Sequence, residues 1–252
     1  MINKLKRDLT QGKQVYGCWM TIESPICSEM MSSLGFDYFV FDTEHSPLEI
    51  YQIQTLMQAM RGDSKTTPII RVNWNDIVQI KRALDVGAHG VIVPWVNNKD
   101  QAEMAVKATR YPPEGIRGCG PRRPELFDFD YIKTANEQML VICQIETKEA
   151  VENIEEIVSV EGVDVTYIGP ADLSASYGHL GDKSHPEVQN AIDTVYDATK
   201  AAGKIAGIHM GSGLTIQNRI EKGYEFITIA QDILLLAKGA NDTFKELHAG
   251  YL

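Results

Sequence analysis

Glu146 ends the apolar run LVICQIE, and Asp172 stands three residues beyond the run VTYIG. If these runs are neighbouring strands, the two carboxylates face one another at the same end of a sheet. Carboxylates drawn out of water are stabilised by a divalent cation or employed as an acid/base couple. Oxygen-only ligation favours Mg²⁺ or Mn²⁺. Co²⁺ and Zn²⁺ are secondary choices, because no second histidine or thiolate accompanies the pair. The acid/base alternative would suit glycoside hydrolysis, but that chemistry wants an aromatic-lined cleft, whereas the nearby strand ends carry His45, Arg71 and Gln144. The metal is the preferred reading.

Other polar residues occupy similar positions. Asp42 closes YFVFD and leads into Glu44 and His45, Arg71 closes PIIR, and Gln144 lies two residues before Glu146. A histidine beside an acidic strand end can move a proton near neutral pH. An arginine can stabilise negative charge that develops on an oxygen. Singly, each has a plain structural reading: Asp42 caps a loop, Arg71 pairs with it, Asp172 caps a helix. Gathered around one mouth, they exceed what packing needs. In GPADLS, Gly169, Pro170, Ala171 and Asp172 open a helix whose N–H groups can receive a carboxylate, although a simple tight turn would read the same way. A Schiff-base lysine is not apparent, since Lys204 precedes its strand and Lys148 enters a helix.

The elements that must position these residues recur along the whole chain. Short apolar runs at 16–20, 38–42, 68–71, 90–94, 140–146, 165–169, 205–209 and 226–230 read as about eight strands. Between them lie stretches of helical periodicity, such as Ile77, Ile80 and Leu84, or Val188, Ile192 and Val195. Alternation of strand and helix implies a parallel sheet, and eight repeats with no G-x-G-x-x-G turn favour a closed (β/α)8 TIM barrel over an open doubly wound sheet. The Gly/Pro-rich stretch 111–126 is expected to be a functional loop. HMGSGL, at 209–214, is a possible phosphate loop. Of the remaining histidines, His89 falls at the stability face, His179 and His185 in a Gly-rich loop, and His209 at a strand end, more as a packed imidazole than a substrate contact.

At 252 residues the chain reads as a single domain spanning 1–252, with no linker composition. A net charge of −10 argues against nucleic acid, and no segment has the continuous apolar length of a membrane span or secretory signal, so a cytoplasmic protein is expected. The four cysteines show no C-x-x-C spacing and read as structural thiols, with Cys119 alone in a loop where it could react.

The segments FDTEHSPLE, RVNWNDIVQIKRALDVGAHGVIVPWV, ATRYPPEGIRG, QIETKEAVENIEEI and EGVDVTYIGPADLSASYG together resemble the HpcH/HpaI family of class II pyruvate aldolases, from about Val15 to Ala240. The resemblance implies a barrel of the phosphoenolpyruvate/pyruvate-binding type. It also implies metal-dependent cleavage of a 4-hydroxy-2-oxo acid to pyruvate and an aldehyde through a stabilised enolate. Carried over by position, Glu146 and Asp172 are metal ligands, His45 the base, and Arg71 the enolate-stabilising cation. Gln144 and Ala171 contact the oxo acid, Asp85 raises the basicity of His45, and Asp42 orients Arg71. The same resemblance implies a homohexamer with C-terminal helices, here containing DILLLAKGA, packed across subunits. The chain departs from the family at CGPRRPELF, where Arg122 and Arg123 would either meet a distal group of the substrate or make a subunit contact. Oxaloacetate decarboxylation, a citramalyl-type lyase reaction and a non-catalytic 2-oxo-acid-binding barrel are the alternatives.

Overall fold

The computed structural model describes residues 2–60, 62, 65–210 and 215–246. Eight parallel strands pair in sequence order into a closed barrel: β1 (Val15–Met20), β2 (Tyr38–Asp42), β3 (Thr67–Arg71), β4 (Gly90–Val93), β5 (Leu140–Ile145), β6 (Val165–Ile168), β7 (Ile205–His209) and β8 (Phe226–Gln231). The last strand pairs with the first. Each strand falls within a residue or two of the expected apolar run, because all are buried on both faces and so read as continuous apolar stretches.

The period of two sorts every strand into an inward and an outward set. Tyr38, Val40, Ile69, Ile92, Leu140, Ile142, Val165, Tyr167 and Phe226 form the cluster inside the barrel. Their alternates Phe39, Phe41, Ile70, Val91, Val93, Val141 and Cys143 join the layer beneath the helices. On the same parity, Asp42 (four beyond Tyr38), Arg71 (two beyond Ile69) and Gln144 (two beyond Ile142) point inward at the C-terminal ends.

Both ends of the interior are built by specific residues. The helix Lys4–Thr10 buries Leu5 and Leu9 in the interior cluster and so closes the N-terminal end, with the Asn3 amide donating to the His89 and Gln138 carbonyls at 2.7 and 2.8 Å. Midway up, Tyr38 stacks on Phe226 with ring centroids 4.0 Å apart. The space for its ring exists because residue 17 is glycine: a Cβ there would lie 2.1 Å from a Tyr38 ring carbon. The register of β1 against β8 shifts by one between Gly17 and Cys18, leaving Ile229 of β8 as the extra residue of a bulge, while Trp19 follows Val15 into the interior on strand parity.

The helices run back along the outside. Ile80 and Leu84 of the helix Ile77–Asp85, and Val188, Ile192 and Val195 of Pro186–Ala201, are buried as their spacing requires. Among the described residues no helix is long and apolar enough to cross a membrane. The final helix, Asp232–Glu246, buries only Asp232 and leaves Ile233, Leu234, Leu235 and Leu236 between 41 and 65% exposed.

Candidate active site

Glu146 follows β5 directly, on the inward parity, and is 2% exposed. The Gln144 amide donates to its Oε2, and the Trp95 backbone N–H donates to its Oε1 at 2.9 Å. Trp95 sits at φ 55°, the only non-glycine positive φ among the described residues. This left-handed conformation costs about 1–3 kcal/mol and is held where it aims an amide at a carboxylate. Asp172 lies in the first turn of the helix Pro170–Ser176 beyond β6 and is exposed to the same cleft. Burial, with Asp172 adding to it, raises the Glu146 carboxyl above its usual range.

Gly169 leaves room for the Glu146–Gln144 pair. A Cβ at that position would stand 3.2 Å from Glu146 Oε2 and 3.4 Å from Gln144 Nε2. Past it, Pro170 at the first helical position has no N–H to lose, and the amides of Ala171 and Asp172 belong to a helix start that lacks internal acceptors.

Across the mouth, Arg71 donates from Nε and Nη2 to the two oxygens of Asp42 at 2.8 and 2.7 Å, a bidentate pair. Its Nη1 lies 2.8 Å from Glu44 Oε2, and its guanidinium stands 4.7 Å over the Trp19 ring. The Trp19 indole N–H donates to Asp42 Oδ2 at 3.1 Å. Burial works against the Arg71 charge, but Asp42 outweighs it and the guanidinium is held more strongly protonated than usual. Burial likewise opposes the Asp42 charge, and the bonds from Arg71 overcome it, so that carboxyl is lowered. Glu44 is pushed up to about 7 by burial, against the pull of Arg71. His45 stands on the loop just beyond, its side chain 63% exposed at the lip. Trp19, Asp42, Arg71 and His45 line one cleft of about 210 Å³, room for a small molecule only.

The model of the HpcH/HpaI aldolase/citrate lyase family matches residues 15–238. The chain belongs to this family. It is 42% identical to a 4-hydroxy-2-oxo-heptane-1,7-dioate aldolase of Klebsiella pneumoniae over 95% of this chain and 92% of that protein. Among solved structures, an HpcH/HpaI aldolase/citrate lyase family protein from Burkholderia cenocepacia J2315 superposes with a TM-score of 0.93 at 34% identity, covering 98% of this chain and all of that one. The citrate synthase SbnG superposes with a TM-score of 0.87 at 30% identity, covering 97% of each chain.

Asp42, His45, Arg71, Gln144, Gly169, Pro170, Ala171 and Asp172 all line the cleft, with Glu146 beneath them. Asp85 does not join them. It ends a helix whose C-terminus lies at the N-terminal face of the barrel, and its Oδ1 accepts from Arg117 Nη2 at 2.8 Å. An outer helix runs antiparallel to the strands, so its last residue reaches the end opposite His45. The stretch 111–126 lies at the same end of its own barrel for the same reason: it follows the helix Lys99–Thr109. There Arg117 is buried against Tyr111 and Tyr131, and Arg123 donates to the Val86 carbonyl at 2.6 Å. Within its own chain this loop does not cover the cleft, and neither Arg122 nor Arg123 lines it.

The other candidates have structural employment. His179 Nε2 is 2.6 Å from Glu187 Oε2, and the His185 Nδ1 caps the helix Pro186–Ala201 by accepting from the Glu187 N–H at 3.3 Å. These three place possible ligand atoms within 4.8 Å of one another at the surface, outside the cleft. Residues 211–214 of HMGSGL lie outside the described residues. Lys204 donates to the Val160 carbonyl and Lys148 follows Glu146 outward, so neither reaches the cleft.

Four contributors escaped the sequence reading: Trp19, Trp95, Tyr167 and the pairing of Glu44 with Arg71. Trp19 and Tyr167 carried a usable signal, since each has the inward parity of its strand. Trp95 carried none, because nothing in a sequence marks a tryptophan for positive φ.

The donor set fits a divalent cation. Two carboxylates converge, Glu146 is raised by burial, and Gln144 Oε1 is buried with no hydrogen-bond partner among the described residues. Oxygen donors of this kind suit Mg²⁺ or Mn²⁺.

Proposed function

We propose that this protein is a metal-dependent class II aldolase that cleaves a 4-hydroxy-2-oxo acid to pyruvate and an aldehyde. The observation that carries it is the pairing, across one small cleft, of a buried carboxylate at Glu146 and a cleft-exposed one at Asp172 with a bidentately fixed arginine at Arg71. Glu146 and Asp172 would hold Mg²⁺ or Mn²⁺, which when bound would supply polarisation of the 2-oxo carbonyl.

The chain's own residues do the rest. The amides of Ala171 and Asp172 receive the substrate carboxylate at the helix start. His45, at the lip, takes the proton of the C4 hydroxyl. The C3–C4 bond then breaks, its electron pair passes into the pyruvate enolate, and C4 leaves as the aldehyde carbonyl. Arg71 stabilises the enolate oxygen, and Asp42 keeps the guanidinium plane fixed so that little reorganisation accompanies the charge. Protonation of C3 completes pyruvate. The orphan Gln144 oxygen, beside Glu146, faces the oxo acid.

The exposed leucines of the helix Asp232–Glu246, with Ile26 and Met30 on the helix Pro25–Ser32 and Leu34 in the turn after it, these three at 57–77% exposure, form the contact between copies in a homo-oligomer, a hexamer by family resemblance.

Incubation with a panel of 4-hydroxy-2-oxo acids and Mg²⁺ or Mn²⁺ is expected to release pyruvate, with release abolished by EDTA and restored by added metal. Pyruvate release indifferent to EDTA would refute metal dependence, and no release from any member of the panel would refute the aldolase.

A further inference from the structure

The cleft has a second wall, on β7, β8 and β1, that the chemistry above does not use. His209 ends β7, Gln231 ends β8, and Thr21 follows β1, all three lining the cleft. The carboxylate pair of β5 and β6 flanks this wall on the β7 side, and the arginine of β3 flanks it beyond β2. Because pyruvate occupies the carboxylate side, this wall faces the aldehyde half of the substrate.

His209 is tied into a chain of hydroxyls through the barrel interior. Its Nδ1 lies 3.1 Å from the Tyr167 hydroxyl, that hydroxyl donates to Thr228 Oγ1 at 2.6 Å, and Thr228 Oγ1 is 3.0 Å from the Tyr38 hydroxyl. Tyr167 has one proton, and it goes to Thr228. Its oxygen must therefore accept from His209, which fixes the imidazole as the Nδ1–H tautomer and leaves a lone pair on Nε2. The ring is held edge-on to Trp19 at 4.9 Å. Burial and the nearby Arg71 keep it neutral, with a pKa lowered to about 4. Nε2 has no protein partner among the described residues. Thr21 Oγ1 donates its proton to Asp232 Oδ1 at 2.8 Å and so also presents only lone pairs.

A neutral wall with fixed acceptors at His209 and Thr21 recognises hydroxyl donors. It offers a distal carboxylate no free cation, only the amide of Gln231, since among the described lining residues the guanidinium of Arg71 is already engaged by Asp42 and His45 stands at the lip. Resting on the aldolase reading above, we infer that His209 determines specificity by accepting a hydrogen bond from a hydroxyl on the aldehyde half of the substrate, so that hydroxyaldehydes are the preferred partners of pyruvate. Tyr167 is a positioning residue that acts through His209.

The test is the aldol addition of pyruvate, with Mn²⁺, to pairs matched in length: glycolaldehyde against acetaldehyde, and glyceraldehyde against propanal, with succinic semialdehyde as the acidic competitor. A hydroxyl also activates a carbonyl chemically, so the diagnostic quantity is the change in the ratio of kcat/KM within a pair. The wild type is expected to favour the hydroxylated member at least about tenfold. His209→Leu should reduce that ratio by at least about fivefold, Tyr167→Phe should reduce it less, and His209→Gln, which restores an acceptor, should recover part of it. A wild-type ratio near one, a ratio unchanged in both His209→Leu and Tyr167→Phe, or a preference for succinic semialdehyde over glyceraldehyde would overturn the inference while leaving the aldolase intact. Absence of carbon–carbon bond formation with every aldehyde would overturn the aldolase reading instead.

Discussion

Arg71 donates two hydrogen bonds to Asp42 in a place where neither side chain has room to turn, since both are nearly fully buried. The pair matters for geometry more than for net charge: an arginine that must meet an oxygen at one point of the reaction gains from having its plane set beforehand. Asp42→Asn keeps the shape and one acceptor but loses the charge and the second bond. It is expected to lower kcat about 10–100-fold while leaving the metal dissociation constant within about threefold, as measured by steady-state kinetics and metal titration. Parallel losses in both would place Asp42 with the metal instead. The residues of this pair were legible in the sequence because each ends a strand on a parity set by unmistakably apolar neighbours. Glu44 and Trp95 were not, since their contributions depend on the path of a loop rather than on strand alternation.

At the scale of elements, strands announced themselves because a parallel barrel buries both faces, and helices through their 3.6-residue stripe. What a run of letters conceals is which end of the barrel an element's last residue reaches. Asp85 and the stretch 111–126 look adjacent to the site by motif, yet the first ends a helix and the second follows one, so both lie at the N-terminal face of their own barrel. The N-terminal plug was likewise hidden, because LKRDL shows its two leucines among charges and only the open barrel end explains their burial. The interior layering also explains why Gly17 admits no side chain. Gly17→Ala would place a methyl 2.1 Å from the Tyr38 ring and is expected to cost about 1–3 kcal/mol in urea denaturation. The cost should shrink in a Tyr38→Val background, and an equal cost there would assign the effect to the strand backbone instead.

For the whole molecule, acid stability follows from its buried imidazoles. His89 is lowered by burial from 6.5 to about 4, and its Nδ1 is buried without a hydrogen-bond partner among the described residues. The unfolded chain thus takes up a proton there before the folded chain does. Its contribution to stability is complete above pH 6.5 and is lost as pH falls from 6.5 through 4, by about 1–3 kcal/mol. Urea midpoints at pH 7.5 and 5 should differ less in His89→Phe than in the wild type, and an unchanged difference would assign the acid sensitivity to other groups.

The same global arrangement, one rigid barrel setting a carboxylate pair opposite an arginine, makes the central claim testable without knowing the aldehyde. Exchange of the pyruvate methyl protons in D₂O, followed by proton NMR with Mg²⁺ or Mn²⁺, reports enolate formation alone. We expect exchange that requires the divalent ion, disappears with EDTA, is abolished in Glu146→Gln together with metal binding, and falls at least about 100-fold in Arg71→Ala while metal binding persists. Exchange that survives EDTA, or that Glu146→Gln leaves unchanged, would contradict the account.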